Sequence, residues 1–596
     1  MLILVMGVTA AGKTTVGRKL AARLGVPFYD ADDFHPEENK KKMAANLPLD
    51  DGDRRPWLER LSESAEDWER GDGALLACSA LKRGYRELLF RRVRETSTVF
   101  LEITRAEAVA RLELRRGKHA FIGNYDRVLS GQYADLEVPE PAIRIPATLG
   151  LDEVVERAAS ALFRSGFSRR SGIWSDQGDG RPLDAERIEA GIERVLENLG
   201  PMRRLLLVPP DFTRFSSGAG DLAALVQRKL AGRTEVFVLP AIGTHAAVSA
   251  AQIERMFPGM PADHFLTHDY RHQVRGLGSV PGSFVSHVSS GRLDFPIRCE
   301  LASPLVDGGF DRILSIGQVV PHEVAGIGGH AKNLFIGLGG KDAIDRTHFL
   351  SAVSGLESTL GRAHTPVRDV LSYMRAELAP ALPVTYLMSV RGRGERGPTT
   401  LGLFAGNDES SFYAAAALAR QSNVELLTEP LRKVVVYLDP EQYRSTWLGN
   451  KAVYRTRLAI ADCGELIVLA PGVDRFGEDP EIDRLIRRHG YFGTAHTLDR
   501  VKSDPELAAS LASAAHLIHG SSEGRFRIRY AAPRLGTAAL SRVGYESLDL
   551  DEALALYDPR RLRDGANRTE HGEDVFYVSN PGLGLWSTAA RFAAGA

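Results

Sequence analysis

The chain has little that would tie it to an oxidising compartment, a membrane or a polyanion. Its 596 residues include three cysteines, Cys78, Cys299 and Cys463, far apart; this excludes a disulfide framework or a cysteine-rich metal site and fits a reduced, cytoplasmic protein. Net charge is nearly absent, since 75 basic and 76 acidic residues leave −1. No bulk field therefore invites nucleic acid or an anionic membrane, and an anionic substrate has to be met by local basic groups. No apolar run is long enough to span a bilayer. The opening Met1 to Met6 passes straight into a glycine loop, so it reads as a buried strand and not as a secretion signal. What is present is an ordinary soluble composition at a length beyond one hydrophobic core, which predicts two to four domains.

From Leu2 to about Phe163, short apolar runs (Ile3 to Met6, Ala74 to Cys78, Thr98 to Ile103) alternate with amphipathic stretches, the rhythm of parallel strands joined by helices. The stretch SGFSRRSGIWSDQGDGRP, Ser165 to Pro182, has linker composition. After it, RRLLLVPPD, EVFVLPAIGTH, RILSIGQVVPH, KVVVYLD and ELIVLAPG are β-rich runs ending in Pro, Gly, His or Asp. Such endings put functional groups at the carboxyl edge of a sheet, where open α/β folds bind ligands. The stretch from Gly472 to Gly493 and the last 30 residues show no regular pattern.

Gly7-Val8-Thr9-Ala10-Ala11-Gly12-Lys13-Thr14 fits G-x-x-x-x-G-K-[ST] between a strand and a helix predicted to begin near Lys13. Gly7 and Gly12 let backbone N–H groups converge on phosphate, Lys13 supplies a mobile cation, Thr14 can hold Mg²⁺, and Thr15 completes the cradle. ATP with Mg²⁺ is the expected ligand. The following segments are Asp30-Ala31-Asp32-Asp33-Phe34-His35-Pro36, Asn39 with Lys42-Met43, Asp51 to Trp57, Cys78-Ser79-Ala80-Leu81-Lys82-Arg83-Gly84-Tyr85-Arg86, and Ser130-Gly131-Gln132-Tyr133 with Leu136-Glu137. On these motifs residues 1–163 resemble the gluconokinase family, with a loop reading VTAA and an inserted Lys118 as departures. The resemblance implies a P-loop kinase fold with a parallel sheet over residues 1–164. It implies Arg54, Lys82 and Arg83 on the gluconate carboxylate, His35 on substrate, and Asp32 accepting the proton of the attacking 6-hydroxyl. Asp30 would assist Mg²⁺, and Arg115 and Arg116 on a lid would neutralise the transferring phosphoryl group.

Further on, His245, His322 and His348 follow apolar runs or stand in Gly-rich loops, with Asp211, Arg214 and Lys332 at comparable strand ends. Asp211-Phe212-Thr213-Arg214, Gly243-Thr244-His245, Pro321-His322, Lys332 and His348 resemble the nickel-dependent lactate racemase family in type, order and spacing. The resemblance implies a two-lobed α/β domain over 186–596 dividing near 430, behind a linker at 165–185. It also implies a nickel-pincer nucleotide, the nickel complex of pyridinium-3,5-bisthiocarboxylic acid mononucleotide, tethered to Lys332 with His348 as nickel ligand. His245 and His322 would be the acid/base pair, Arg214 would bind substrate carboxylate, and Asp211 would assist a histidine. Ser445 to Arg455 reads as a polar, basic insertion before a strand from Leu458 to Ala461, with Lys451 and Arg455 as substrate contacts against the alternative of an exposed charged loop. Where lactate racemases place a lysine after a PGG-type turn, this chain has Pro471-Gly472-Val473-Asp474-Arg475, which favours a larger, polyhydroxylated acid.

The two resemblances together imply a bifunctional enzyme: C2 epimerisation of gluconate and mannonate, and ATP-dependent phosphorylation of gluconate to 6-phosphogluconate. Cofactor-biosynthesis proteins are implied as partners, neither nucleic acid nor membrane is, and homo-oligomerisation is left open. The alternatives are a gluconokinase fused to a racemase for another 2-hydroxy acid, or to a ligand-sensing domain without chemistry.

Overall fold

Leu2–Met6 (β1) is five apolar residues with every side chain buried, a pattern that only a strand covered on both faces satisfies. In the structure, a computed structural model, this strand is the centre of a parallel sheet with Phe28–Asp30 (β2), Ala74–Ala77 (β3), Thr96–Glu102 (β4) and Ile143–Pro146 (β5) in the order β2-β3-β1-β4-β5. The structure describes all residues except 25, 45–48, 71–72, 115–124, 165–173, 179–180, 393, 395–396, 583 and 595–596. Two compact units result, Met1–Arg170 and Ser171–Ala596.

In the first unit the helix Lys13–Leu24 begins directly after the glycine loop, and Asp51–Arg70 lays Trp57, Leu58 and Leu61 onto the sheet core. Burying each of those leucines contributes roughly 2 kcal/mol. The Trp57 indole N–H donates to the Ala31 carbonyl at 2.8 Å, which pins the loop after β2 against this helix.

The second unit holds two six-stranded sheets. The first runs, edge to edge, Trp174–Asp176, Thr399–Gly406, Val384–Gly392, Arg312–Gln318, Arg204–Val208 and Glu235–Val238. Its last four strands are parallel, so their carboxyl ends share one edge. The second runs Glu546–Ser547, Arg527–Ala531, Ile460–Leu469, Leu431–Tyr437, Asp574–Val578 and Gly565–Arg568, parallel except for the final pair. Helix Lys341–Ser354 joins them: Ala352 packs on Ala515 and Ile518 of helix Leu511–His519, and Phe349 lies in the core of the second sheet.

Three local expectations are corrected. Part of the stretch with linker composition, Trp174–Asp176, is an edge strand paired with Leu403 to Ala405, and Arg187 donates to Asp176 at 2.8 Å; a three-residue strand leaves too short a pattern to show itself. The strand expected from Leu458 to Ala461 is Ile460–Leu469. Within the stretch left unassigned before Gly493, Pro480–His489 is a helix capped by Asp479, whose side chain accepts from the Ile482 N–H at 2.9 Å.

Candidate functional sites

The loop from Gly7 to Gly12 turns through backbone that side chains disfavour, with φ +68° at Ala10 and +95° at Gly12. That conformation sets the loop at the head of helix Lys13–Leu24, whose N-terminal end favours phosphate. The Lys13 ammonium spans the loop to the Val8 carbonyl at 3.2 Å. Burial pulls it below its ordinary value, against the Asp32 carboxylate. The Thr14 hydroxyl donates to Asp30 Oδ2 at 2.8 Å, and Asp30 Oδ1 caps the turn through the Asp32 N–H at 3.2 Å. Desolvation in the cleft, then the Asp30 carboxylate, raise Asp32 above the usual carboxylate range, the direction a proton acceptor needs. Thr15 follows on the same helix.

Arg54 and Lys82, though 28 residues apart, meet around Tyr85. Arg54 donates to the Tyr85 hydroxyl at 2.9 Å and faces Asp135 at 3.9 Å; Lys82 pairs with Asp51 at 3.2 Å and Asp135 at 3.7 Å; both cations lie over the Tyr85 ring. His35, 6 % exposed, stacks on Trp57 at 4.3 Å. The Asn39 amide donates to the Asp53 carbonyl and faces His35 Nδ1 at 3.3 Å, so Nδ1 accepts and Nε2 carries the ring proton. Burial, with Arg54 nearby, pushes His35 down to about 4, so it is neutral at pH 7. Arg83 does not join the cluster: it pairs with Glu87 at 2.7 Å and its side chain is 80 % exposed. Arg115, Arg116 and Lys118 lie outside the described residues. Tyr85 was not among the expected site residues, nor was Gln132, which accepts from the Thr9 N–H at 2.7 Å and donates to its hydroxyl at 2.9 Å, fastening the phosphate loop. Both stand within the motifs quoted above.

In the second unit the carboxyl ends of the first sheet open into a cleft of about 1110 Å³, including its mouth, whose lining includes Asp211, Arg214, His245, His322, Glu323, Lys332, His348 and Lys451. Asp211 follows strand Arg204–Val208 and caps a short helical turn: Oδ1 accepts from the Thr213 N–H at 3.0 Å and hydroxyl at 2.6 Å, while Oδ2 meets His245 Nδ1 at 2.5 Å. Burial alone would lift Asp211, but His245, Thr213 and Arg214 together hold it below the usual range. His322 sits in a two-residue strand paired with Gly326–Ile327, and its Nδ1 accepts the Val324 N–H at 3.1 Å. His348, expected after an apolar run or in a Gly-rich loop, is inside the helix Lys341–Ser354; its Nδ1 donates to the Ile344 carbonyl at 2.6 Å. Burial lowers His322 well below its ordinary value and His348 to about 4. Both rings are neutral at pH 7.

Lys332 is the second residue of the short helix Ala331–Phe335, where burial, then Arg214, bring it down to about 8. Ser445 to Thr456 is a pair of short helices and not an exposed loop: Asn450 anchors the turn by accepting from the Tyr530 and Tyr545 hydroxyls at 2.8 and 3.1 Å, and Arg455, expected to touch substrate, is fully buried and outside the cleft lining, whereas Lys451 is in it. Lys451 is lowered to about 7 by burial and then by Arg214. Glu323 is a residue that sequence reasoning missed. Burial would raise it, yet the Arg455 and Arg214 guanidiniums hold it below the usual range, and its Oε2 has no hydrogen-bond partner among the described residues. It is adjacent to His322, the one signal available. Arg475 is outside the cleft lining, paired with Asp474 at 3.0 Å.

The residues fit a nickel-pincer group. With its ring proton tied to Ile344, the His348 imidazole offers Nε2 as a neutral lone pair, and the same cleft holds a lysine amine of lowered basicity.

The strand order and phosphate loop define the first unit as a P-loop kinase, and the second is an α/β unit with a polar cleft at the carboxyl edge of its first sheet. Residues 9–132 match the shikimate kinase family and residues 189–360 the lactate racemase N-terminal domain family. The gluconokinase of Gluconobacter oxydans (strain 621H) is 41 % identical over 162 residues, 26 % of this chain and 86 % of that protein. The chain belongs, through its first unit, to the gluconokinase family. A crystal structure of a Thermotoga maritima protein is similar with a TM-score of 0.60 at 24 % identity, covering 69 % of this chain and 99 % of that one. The lactate racemase apoprotein from Thermoanaerobacterium thermosaccharolyticum follows at 0.51 and 15 %, covering 67 % and 92 %. At these identities the likeness of the second unit to both is one of fold.

Proposed function

We propose that the chain is a bifunctional sugar-acid enzyme: an ATP-dependent gluconate kinase over residues 1–164 joined to a nickel-pincer C2 epimerase of gluconate and mannonate in the second unit. In the kinase, the loop N–H groups and Lys13 hold the phosphates of ATP, Arg54 and Lys82 take the gluconate carboxylate, and Asp32 accepts the proton of the 6-hydroxyl. His35 donates from Nε2 to a substrate hydroxyl. Thr14 and Asp30 would hold Mg²⁺, which when bound neutralises the polyphosphate. In the epimerase, Lys332 would tether the cofactor and His348 would ligate its nickel. When bound, that group supplies reversible uptake of hydride from C2. Arg214 binds the substrate carboxylate, and His245, oriented by Asp211, takes the hydroxyl proton.

The observation that carries a polyhydroxylated substrate is the surplus of polar atoms in and behind the cleft. Glu323 Oε2, in the cleft lining, has no hydrogen-bond partner among the described residues, nor do Nε and Nη2 of Arg455, which is buried behind it and not in the lining. Each such atom costs roughly 1–3 kcal/mol unless a ligand satisfies it. A three-carbon hydroxy acid has one hydroxyl, already spoken for by the acid/base machinery; a hexonate brings four more. Production of the chain with the cofactor-making proteins, followed by intact mass, nickel analysis and incubation with mannonate, gluconate, lactate and malate, tests this. Turnover of lactate but of neither hexonate refutes the hexonate reading; an unmodified Lys332 without nickel refutes the pincer.

A further inference from the structure

Three histidines of the second cleft have their tautomers set by neighbours that can only donate or only accept. The Asp211 carboxylate accepts, so His245 carries its proton on Nδ1 and presents a lone pair at Nε2. The Ile344 carbonyl accepts, which leaves His348 in the same state. The Val324 backbone N–H, 3.1 Å from His322 Nδ1, can only donate, and the acceptor on that side, Glu323 Oε2, is 3.8 Å from Nδ1, outside hydrogen-bond reach. Neutral His322 therefore has its proton on Nε2. It has no lone pair there to take a substrate proton, and protonating Nδ1 would set two N–H groups against each other.

Inversion at C2 needs a proton acceptor and donor at two positions of the oxygen, because the keto acid must turn its other face to the hydride donor before it is refilled. We propose that the second proton-exchanging group is the Lys451 amine, and that His322 is a fixed Nε2–H donor holding the substrate oxygen. Lys451 lines the same cleft and has no hydrogen bond or ion pair among the described residues; its ammonium lies over the Tyr443 ring, 5.8 Å from the centroid. Facing it are Arg214 and Asp211 from the first sheet, Glu323 from the hairpin, and Arg455 from its own segment. Its burial, then Arg214, bring it to about 7 against the pull of Glu323 and Asp211, so ammonium and amine are both populated at neutrality.

The protons balance as follows. In the direction that starts at His245, the C2 hydroxyl O–H bond breaks, its proton goes to Nε2, and the C2 hydride goes to the pyridinium-type acceptor of the reading above, on which this inference rests. After the turn, hydride returns to C2 and the Lys451 ammonium gives a proton to the C2 oxygen, becoming a neutral amine. The net transfer from Lys451 to His245 is reset through water at the open mouth. The reverse reaction starts from neutral Lys451 and protonated His245.

The test uses the full chain carrying cofactor. Lys451→Gln is expected to lower kcat for the hexonates about 100-fold or more with KM within about threefold. Lys451→Arg is expected to be as slow, because a guanidinium keeps the charge but does not exchange its proton near neutrality. In the His245-first direction the wild-type kcat/KM falls as pH rises through about 7, and the residual activity of Lys451→Gln lacks that limb. Long-range ¹H–¹⁵N spectra of the histidine-labelled chain without cofactor are expected to show His322 protonated at Nε2 and His245 at Nδ1. Lys451→Arg at near wild-type rate, a loss confined to KM, or His322 protonated at Nδ1 overturns the inference. A wild-type chain inert to both hexonates instead overturns the functional reading beneath it. Kinase activity and bound nickel in the same preparations identify any variant that has failed to fold.

Discussion

Asp211→Asn is the sharpest single perturbation of the second site. Thr213 donates to Oδ1 from both its N–H and its hydroxyl, so the asparagine oxygen stays where Oδ1 was and its NH₂ replaces Oδ2, 2.5 Å from His245 Nδ1. An amide NH₂ only donates, so Nδ1 must accept and the ring proton moves to Nε2, removing the lone pair that takes the substrate proton. The same inversion of an Asp–His pair elsewhere costs about 10⁴ in kcat, or about 5.4 kcal/mol. Asp211→Ala removes the cap as well, costing about 1 kcal/mol more of local stability, but leaves His245 free to sample both tautomers. We therefore expect alanine, the more damaging change to structure, to be the milder one for kcat. The assay is hexonate epimerisation by the cofactor-loaded chain, with kinase activity in the same tube as control. An asparagine variant faster than the alanine variant, or within about tenfold of wild type, would refute the tautomer argument.

Arg54→Ala should raise KM for gluconate about 10- to 100-fold, since breaking a charge-assisted carboxylate contact costs about 1.5–3 kcal/mol, whereas Arg83→Ala, a surface residue paired with Glu87, should change it less than about twofold. Initial-rate kinetics separate them. His348→Ala should abolish nickel retention while leaving the mass added at Lys332, and Lys332→Ala should remove both; metal analysis and intact mass read each. His348, His516 and His519 are depressed to about 4, 3 and 3, so between the ordinary 6.5 and those values the unfolded chain binds more protons. Stability of the second unit should be full above about pH 6.5 and decline as pH falls towards 4, by up to about 1.4 kcal/mol per pH unit for each such histidine. Thermal melts of the full chain from pH 7.5 to 4.5 check the sign, and a melting point that rises on acidification would refute it.

Much of the fold is legible in the chain because its signals are local. The phosphate loop needs two glycines, a lysine and a hydroxyl within eight residues, and the buried run Leu2–Met6 declares its strand without help. The β-rich runs ending in Pro, Gly, His or Asp point to the carboxyl edge at which Asp211, His245 and His322 stand. What was misjudged depends on distant partners. Trp174–Asp176 becomes a strand only because Thr399–Gly406 lies beside it. Arg455 is buried because Ser445 to Thr456 docks beneath Tyr530 and Tyr545, some 80 and 95 residues away along the chain from Asn450.

The order of the residues by itself determined which chemical groups exist and, through short-range pattern, the parallel α/β architecture and the phosphate cradle. Only the tertiary structure decided what those groups can do. It turned Arg83 out to Glu87 while drawing Lys82 to Asp51, and it put a carboxylate behind one cleft histidine and an amide N–H behind another. The physical reason is that burial and proton position depend on the nearest neighbours in space, and for His245 the nearest acceptor is 34 residues away along the chain.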